Sequence, residues 1–360
     1  MELTISTLTP LWTGGIETGK VDRIHETGIL GSLRWWYEAI VRGLGGRACD
    51  PSKGECRFDA EKYEKHKKST ATDERQRLRD AGLRDAGLCD VCQLFGATGW
   101  RRRFRLAVVA DKTQPDPAIR AKIQVNRTYT RNKKQITPTW YFPNNQNDQP
   151  RSGTFTLRIQ SLAPNFQPEI IAGLVQFIAD WAAIGARAQM GFGVIKLERR
   201  IDTTPFYNQV VAAAGTEAYP RLPSLKNIFL ARISPKNGGT FSDQDTFNLK
   251  YDLRRLFAND QALRHFIMGT IKDQRIAAKV KMSRPYNMGQ SDDQEMRVWG
   301  WIPEEADVYQ NSWNRDSVVD AIYQHLRTNY TLTVWREMNS ARDSVKPDLS
   351  DTCEFLRSLL

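Results

Sequence analysis

The chain has 360 residues, 40% of them hydrophobic, with 15 Phe, 11 Tyr and 10 Trp, so it can bury a sizeable core and is not a disordered polymer. Its apolar runs are far shorter than the ~18 residues of a membrane span, and MELTISTLTPLW lacks the basic-then-apolar layout of a signal peptide, so a soluble, cytoplasmic protein without membrane contact is expected. The 52 Lys and Arg exceed the 41 Asp and Glu, a formal charge of +11 that favours an acidic partner, nucleic acid first, although many basic proteins bind nothing acidic.

LTISTLTPLW (3–12) alternates apolar and polar residues, as a half-buried strand does. The following glycine-bearing loop, 13–28, holds Asp22, His25 and Glu26, which can bind a metal or move protons, or simply decorate a surface. ILGSLRWWYEAIVRGLGG (29–46) then reads as a helix. Leu30, Leu33, Tyr37, Ile40, Val41 and Leu44 fall on one face, Arg34, Trp35, Glu38 and Arg42 on the other, and Gly45 and Gly46 end it.

A charged insertion follows, from about 46 to 100. Residues 57–88 hold nine basic and seven acidic residues and are nearly balanced; their tandem LRDAG at 78–87 suggests a duplication in a tolerant surface loop. Cys49-x6-Cys56 and Cys89-x2-Cys92 flank the insertion and supply four of the five cysteines. Two knuckles joined by a long loop suit a structural zinc ion, which needs four soft ligands in a tetrahedron. Ordinary thiols and a redox pair are the alternatives, the latter belonging to a different strand–helix context.

The positive excess lies beyond the insertion. TGWRRRFR packs Arg101, Arg102, Arg103 and Arg105 into five positions, either as a solvated face or as donors to phosphate oxygens. FRLAVVAD (104–111) reads as a strand. Residues 117–147 contain no carboxylate and read as a basic hairpin, with Arg127, Tyr129, Arg131, Lys133 and Lys134 followed by Trp140, Tyr141 and Phe142. Charge interleaved with rings suits single-stranded nucleic acid, whose bases stack on aromatics; a flexible surface hairpin has the same composition.

TFTLRIQSL (154–162) alternates as a strand. From Pro168 an amphipathic helix runs to about Gly185, with Ile171, Leu174, Val175, Ile178, Trp181 and Ala182 on one side. GARAQMGFG (185–193) is a basic glycine turn into a strand at 194–201, with Arg187 and Phe192 as its possible phosphate and stacking residues. Its helix–glycines–strand order is not the dinucleotide fingerprint, and no P-loop, GxSxG or HExxH occurs.

The resulting β-α-β-β-α-β order predicts an α+β, ferredoxin-like (RRM-like) unit over 1–201, interrupted after its first helix. A second, divergent unit with a strand at 225–234, a helical stretch at 249–271, a strand near 296–303 and a final helix fills 202–360.

Three stretches together, TPLWTGG with GILGSLRWWYEAIVRG, then CQLFGATGWRRR, then GARAQMGFGVIKL, resemble the RAMP superfamily of CRISPR effector subunits, and within it the first Cmr subunit of type III-B complexes. The resemblance covers about the first 200 residues. It implies a non-catalytic RNA-binding subunit near the 3′ end of the guide RNA that helps capture target RNA beside other Cmr subunits. It also implies that 120–145 is a thumb-like hairpin and that Cys89 and Cys92 are half of a zinc site. Where relatives carry Ile-Arg-Gly, this chain has Ile29-Leu30-Gly31, so Arg34 is expected to take over a phosphate contact. Arg34, Arg42, Arg101, Arg102, Arg103, Arg105, Arg127, Arg131, Lys133, Lys134 and Arg187 are the phosphate candidates, and Trp35, Tyr129 and Phe192 the stacking candidates. The arginine cluster, the hairpin and the glycine turn are expected to converge in one trough. An endoribonuclease using Asp22 or His25 is the alternative function.

Overall fold

The fold is that of a computed structural model describing residues 1–17, 20–50, 52–68, 81–116, 122–124, 126–131, 133–141, 148–271, 275–287, 289, 293–309 and 313–360. Strand β1 (Glu2–Thr7) leads into helix α1 (Glu26–Gly43). The insertion contributes α2 (Ala60–Lys68) and α3 (Asp90–Phe95), after which come β2 (Phe104–Asp111), β3 (Thr154–Ser161), α4 (Glu169–Trp181) and β4 (Ile195–Leu197). The four strands pair antiparallel in the order β4-β1-β3-β2, the ferredoxin-like arrangement.

Alternation decides which face of this sheet is covered. Leu3 and Ile5 of β1, Phe104 and Leu106 of β2, and Phe155, Leu157 and Ile159 of β3 point into the helices and are buried. The opposite face carries Thr4, Arg105, Thr156, Arg158 and Lys196 and no aromatic ring, so the base-stacking platform of RRM sheets is missing from it.

After α5 (Thr204–Val211) the plan repeats. Here β5 (Ile228–Ser234), α6 (Asp245–Leu256), α7 (Gln261–Met268), β6 (Val280–Met282), β7 (Gln294–Trp301), α8 (Arg315–Asn329) and β8 (Thr331–Glu337) are followed by α9 (Thr352–Leu359). Sheet order β6-β7-β5-β8 is the same 4-1-3-2 pattern read from the other edge. The protein is therefore α+β with two ferredoxin-like units.

The two units are stacked. On β5, Phe229, Ala231 and Ile233 face the second unit's own helices, whereas Ile228 and Leu230 join Trp299 in the core that contains α1 and α4. Helices α1 and α4 thus lie between two sheets, and ten of the thirteen α4 residues are buried. That corrects the one-sided helix expected from periodicity: a helix apolar all round is one covered on both sides. Among the described residues no helix is long and apolar enough to cross a membrane.

The repeat in the insertion is not wholly a tolerant loop. Residues 78–80 of its first copy lie outside the described residues, but Leu83 and Ala86 of the second are buried, and Ala86 O accepts from Asp59 N at 2.9 Å.

Candidate nucleic-acid interface and cysteine cluster

Cys89 caps the N-terminus of α3, where its sulfur accepts from Cys92 N at 3.4 Å; Cys56 Sγ accepts from Cys89 N at 3.3 Å. The first bond turns the Cys89/Cys92 pair into a knuckle, and the second ties that knuckle to the Cys49/Cys56 pair. The two knuckles meet, with the sulfurs of Cys49, Cys56, Cys89 and Cys92 all within 4.8 Å of one another and Cys49 Sγ 3.6 Å from Cys92 Sγ. All four are free thiols. Tetrahedral zinc with ~2.3 Å bonds to sulfur places its ligands a little under 4 Å apart, so this donor set fits the ion in number, softness and spacing. Thiol hydrogen bonds from Cys49 and Cys92 hold Cys89 well below the usual thiol range, while Cys49, donating to that thiolate, is pushed far up. One thiolate forms readily there; several need a cation among them.

This cluster accounts for two of the expected phosphate arginines. Arg34 donates to Cys92 Sγ at 3.3 Å, to Gly96 O at 3.3 Å and to Glu38 Oε1 at 2.9 Å. Arg42 is 3% exposed and donates to Cys49 O at 2.7 Å, with Glu38 Oε2 at 3.5 Å. A four-thiolate zinc centre carries net negative charge, and the two guanidiniums sit where they would balance it. Arg42 is therefore a buried structural residue, a correction to its surface assignment. Glu38, buried between them, has its carboxyl raised by desolvation against the opposing pull of Arg34 and Arg42.

The arginine cluster lies elsewhere than expected. Arg101 donates to Leu162 O at 3.3 Å, Arg103 N to Leu94 O at 3.0 Å, and Arg105 pairs opposite Gln160. All sit where β2 begins, and the hairpin leaves where β2 ends, seven residues on and roughly 20 Å away. Arg101 and Arg105 are exposed and Arg102 and Arg103 half-buried. The single trough is thereby corrected: two of its three segments converge and the arginine run does not.

The convergent pair are the hairpin and the glycine turn. The hairpin consists of short ladders, 122–124 with 139–141 and Tyr129–Arg131 with Lys134–Ile136. It is fixed to the second unit by Arg127, whose Nε and Nη2 reach Asp252 carboxylate oxygens at 3.0 and 2.9 Å, and by Asn126 N on Asn248 Oδ1 at 3.0 Å. Arg127 is consequently paired, while Lys133 and Lys134 at the tip are exposed. Arg131 has described backbone in this ladder; Phe142 lies outside the described residues. Tyr129 meets Gln189 and Met190 of the glycine turn along a groove of about 930 Å³.

The glycine turn is built on residues with positive φ, Gly185, Arg187, Gly191 and Gly193. Ile184 N donates to Gly193 O and Gly193 N to Pro10 O, while Arg284 N of the second unit takes Gly191 O at 3.0 Å, so the turn belongs to both units. A Cβ on Gly193 would lie 1.9 Å from Ile184 O. Gly193→Ala should destabilise the protein by more than the about 1–3 kcal/mol of backbone strain alone, read as a lowered urea midpoint; an unchanged midpoint refutes the loop geometry.

Phe192 is 0% exposed, packed edge-on to Trp12 with centroids 5.2 Å apart, and is not a stacking residue. Arg187 lies over Trp12 at 3.5 Å and bonds Asp148 at 3.0 Å, leaving its side chain about a third exposed. Trp35 is half-buried and forms a wall of a second cleft, about 320 Å³, between α1 and residues 185–189. Lys281, from the second sheet, reaches over the Trp35 ring at 4.7 Å, and burial lowers its ammonium to about 8. This cation, together with Lys250, Arg254, Arg255, Arg264 and Arg275 beside the larger groove, was missed in the sequence. The residues are scattered over a helix pair, a loop and an edge strand, with no local charge run to mark them.

For the alternative chemistry, His25 Nε2 lies 2.5 Å from Asp22 Oδ1, and this bond holds the exposed Asp22 carboxyl low. Among the described residues the cysteine set is the one group of three or more metal-ligating side chains.

Two stacked ferredoxin-like units sharing a glycine-rich turn define a tandem RRM-type protein. The sequence profile of the RAMP superfamily matches residues 4–196, more than half of the chain, and the protein belongs to that superfamily. No curated protein matches it. Among solved structures it is similar to Cmr1 from Pyrococcus furiosus in its apo form, at 14% identity and a TM-score of 0.44, covering 90% of this chain and 96% of that one. A chain of type III-B Cmr-beta bound to cognate target RNA is similar at 11% identity and a TM-score of 0.43, covering 90% and 99%.

Proposed function

We propose that this RAMP protein is an RNA-binding subunit of a type III-B CRISPR–Cas (Cmr) effector complex, placed near the guide RNA 3′ end, aiding target-RNA capture and cutting nothing itself. On this reading its partners are guide RNA, target RNA and sibling Cmr subunits. Residues 1–201 and 202–360 are its two domains, and Cys49, Cys56, Cys89 and Cys92 hold structural zinc. Superfamily membership and the three sequence blocks resembling the first Cmr subunit support the assignment.

The observation that carries it is the meeting of the basic hairpin and the glycine turn along one groove, with further cations from the second unit. Base pairing with the guide would supply sequence specificity, while the protein reads backbone charge.

If about five phosphates are touched, log K for a single strand should fall with log salt at a slope near −3.5. Lys133→Ala with Lys134→Ala should flatten that slope by about 1.4. A filter-binding titration with a slope near zero removes the assignment. Labelled RNA incubated with the protein and Mg²⁺ should stay intact; cleavage abolished by Asp22→Ala would instead make it a nuclease.

A further inference from the structure

The groove of about 930 Å³ has a composition that a passing RNA backbone does not require. It is walled by α6, α7 and residues 269–271 and 275–278, and closed on one side by Tyr129 and the glycine turn. Lys250, Arg254, Arg255, Arg264 and Arg275 line it, and no carboxylate does among the described residues. Arg255, Arg264 and Arg275 are in no ion pair among those residues, and Arg264 Nε is buried without a hydrogen-bond partner. Arg254 is held by Gly269 O at 3.0 Å, and burial together with neighbouring Arg264 lowers its basicity. Burial, and then Arg254, likewise bring Lys250 down to about 7. Like charges crowded in a partly desolvated pocket raise the energy of the empty site, and a multiply charged anion relieves it.

The same groove offers rings. Tyr129 and Tyr251 have centroids 6.4 Å apart and planes 31° from parallel. Both rings line the groove, so a flat base entering it can stack on either of them. An internal phosphodiester brings one charge and needs a chain exit on both sides. A terminal polyphosphate brings several charges and fits a pocket whose cations lie beside a stacking slot.

The geometry points to a nucleotide-polyphosphate site in this groove, the base at Tyr129 and Tyr251 and the phosphates on Arg254, Arg255, Arg264 and Arg275. The ligand is either a free nucleoside triphosphate or the 5′-triphosphate end of an RNA. The site does not depend on the effector-subunit reading and goes beyond it.

Calorimetric titration of the full chain with ATP, with a 5′-triphosphate oligoribonucleotide and with the same oligonucleotide bearing a 5′-hydroxyl separates the sources. Binding of ATP identifies the free nucleotide, and tighter binding of the triphosphate oligonucleotide than of its hydroxyl form identifies the RNA end; either result supports the site. Arg264→Met and Tyr251→Ala should each weaken the triphosphate probe by about tenfold. Arg275→Ala, at an exposed position where folding is not at risk, should do so by a smaller factor with unchanged Tm. If ATP does not bind and the two oligonucleotides bind equally, or if Arg275→Ala leaves triphosphate affinity unchanged, the proposal is overturned. The salt-dependent RNA binding proposed above stands or falls separately.

Discussion

Cys92→Ser should abolish the proposed zinc site and unfold the structure around α3, the largest effect expected of any single substitution in this chain. Purified protein should carry one zinc per chain by elemental analysis, and the variant none. Structural zinc in a four-cysteine site contributes on the order of 10 kcal/mol to local folding, comparable with the whole net stability of an ordinary domain. The damage should not stop at the knuckles. Leu88, Val91, Cys89 and Cys92 belong to the core that also contains Leu33, Tyr37 and Phe95, so the insertion is packed into the first unit and not tethered beside it. Arg34 would lose a sulfur partner, leaving the buried Glu38 less well compensated. A chelator should reproduce the variant's melting curve in the wild type. Reduced wild-type protein that carries no metal and melts with Cys92→Ser would remove zinc from the account, leaving four unmetallated thiols.

The sequence shows this cysteine cluster better than it shows the groove, for a physical reason. Metal ligands need the same residue type at close spacings, and that leaves a local mark. A groove is lined by whichever side chains the topology brings together. Lys250, Arg264 and Arg275 lie on separate elements, and only the fold makes them neighbours.

Periodicity has a related blind spot. It placed β3 and the α4 helix well because each keeps its apolar pattern over most of its length, and β2 on its apolar, β-branched composition although its register shifts after Val108. It gave the polar positions of α1 to solvent, yet Glu38 and Arg42 are buried, because a helix wheel cannot know that the cysteine-bearing insertion and the segment before β5 fold over that face. Strand β8 escaped detection since it follows α8 after a single residue, Tyr330, with neither Gly nor Pro to punctuate the change. The run at 101–105 misled differently: charge density says that a segment is solvated or binds anions, and nothing about which end of a strand it occupies.

Asp343→Ala should cost about 3–5 kcal/mol, because it leaves a buried guanidinium uncompensated. The Asp343 side chain is 0% and the Arg336 side chain 1% exposed, with Nε 3.0 Å from Oδ2. The same carboxylate accepts from the backbone N–H groups of Glu337, Val345 and Lys346 at 2.9, 2.9 and 2.7 Å. Alanine therefore orphans a charge and three amides together. Arg336 also donates to Ser358 O at 3.0 Å and lies 5.9 Å from the Trp181 ring, so it links β8 to α9 and to the helix layer of the first unit. The lost stability should appear as a lower urea midpoint at nearly constant m. Asp343→Leu combined with Arg336→Met should recover much of it, since removing both charges removes the uncompensated one. If the double variant is as unstable as Asp343→Ala, the backbone amides and not the ion pair hold this joint. The 337–346 turn would then keep its shape through those amide hydrogen bonds, and Arg336→Met alone should be tolerated.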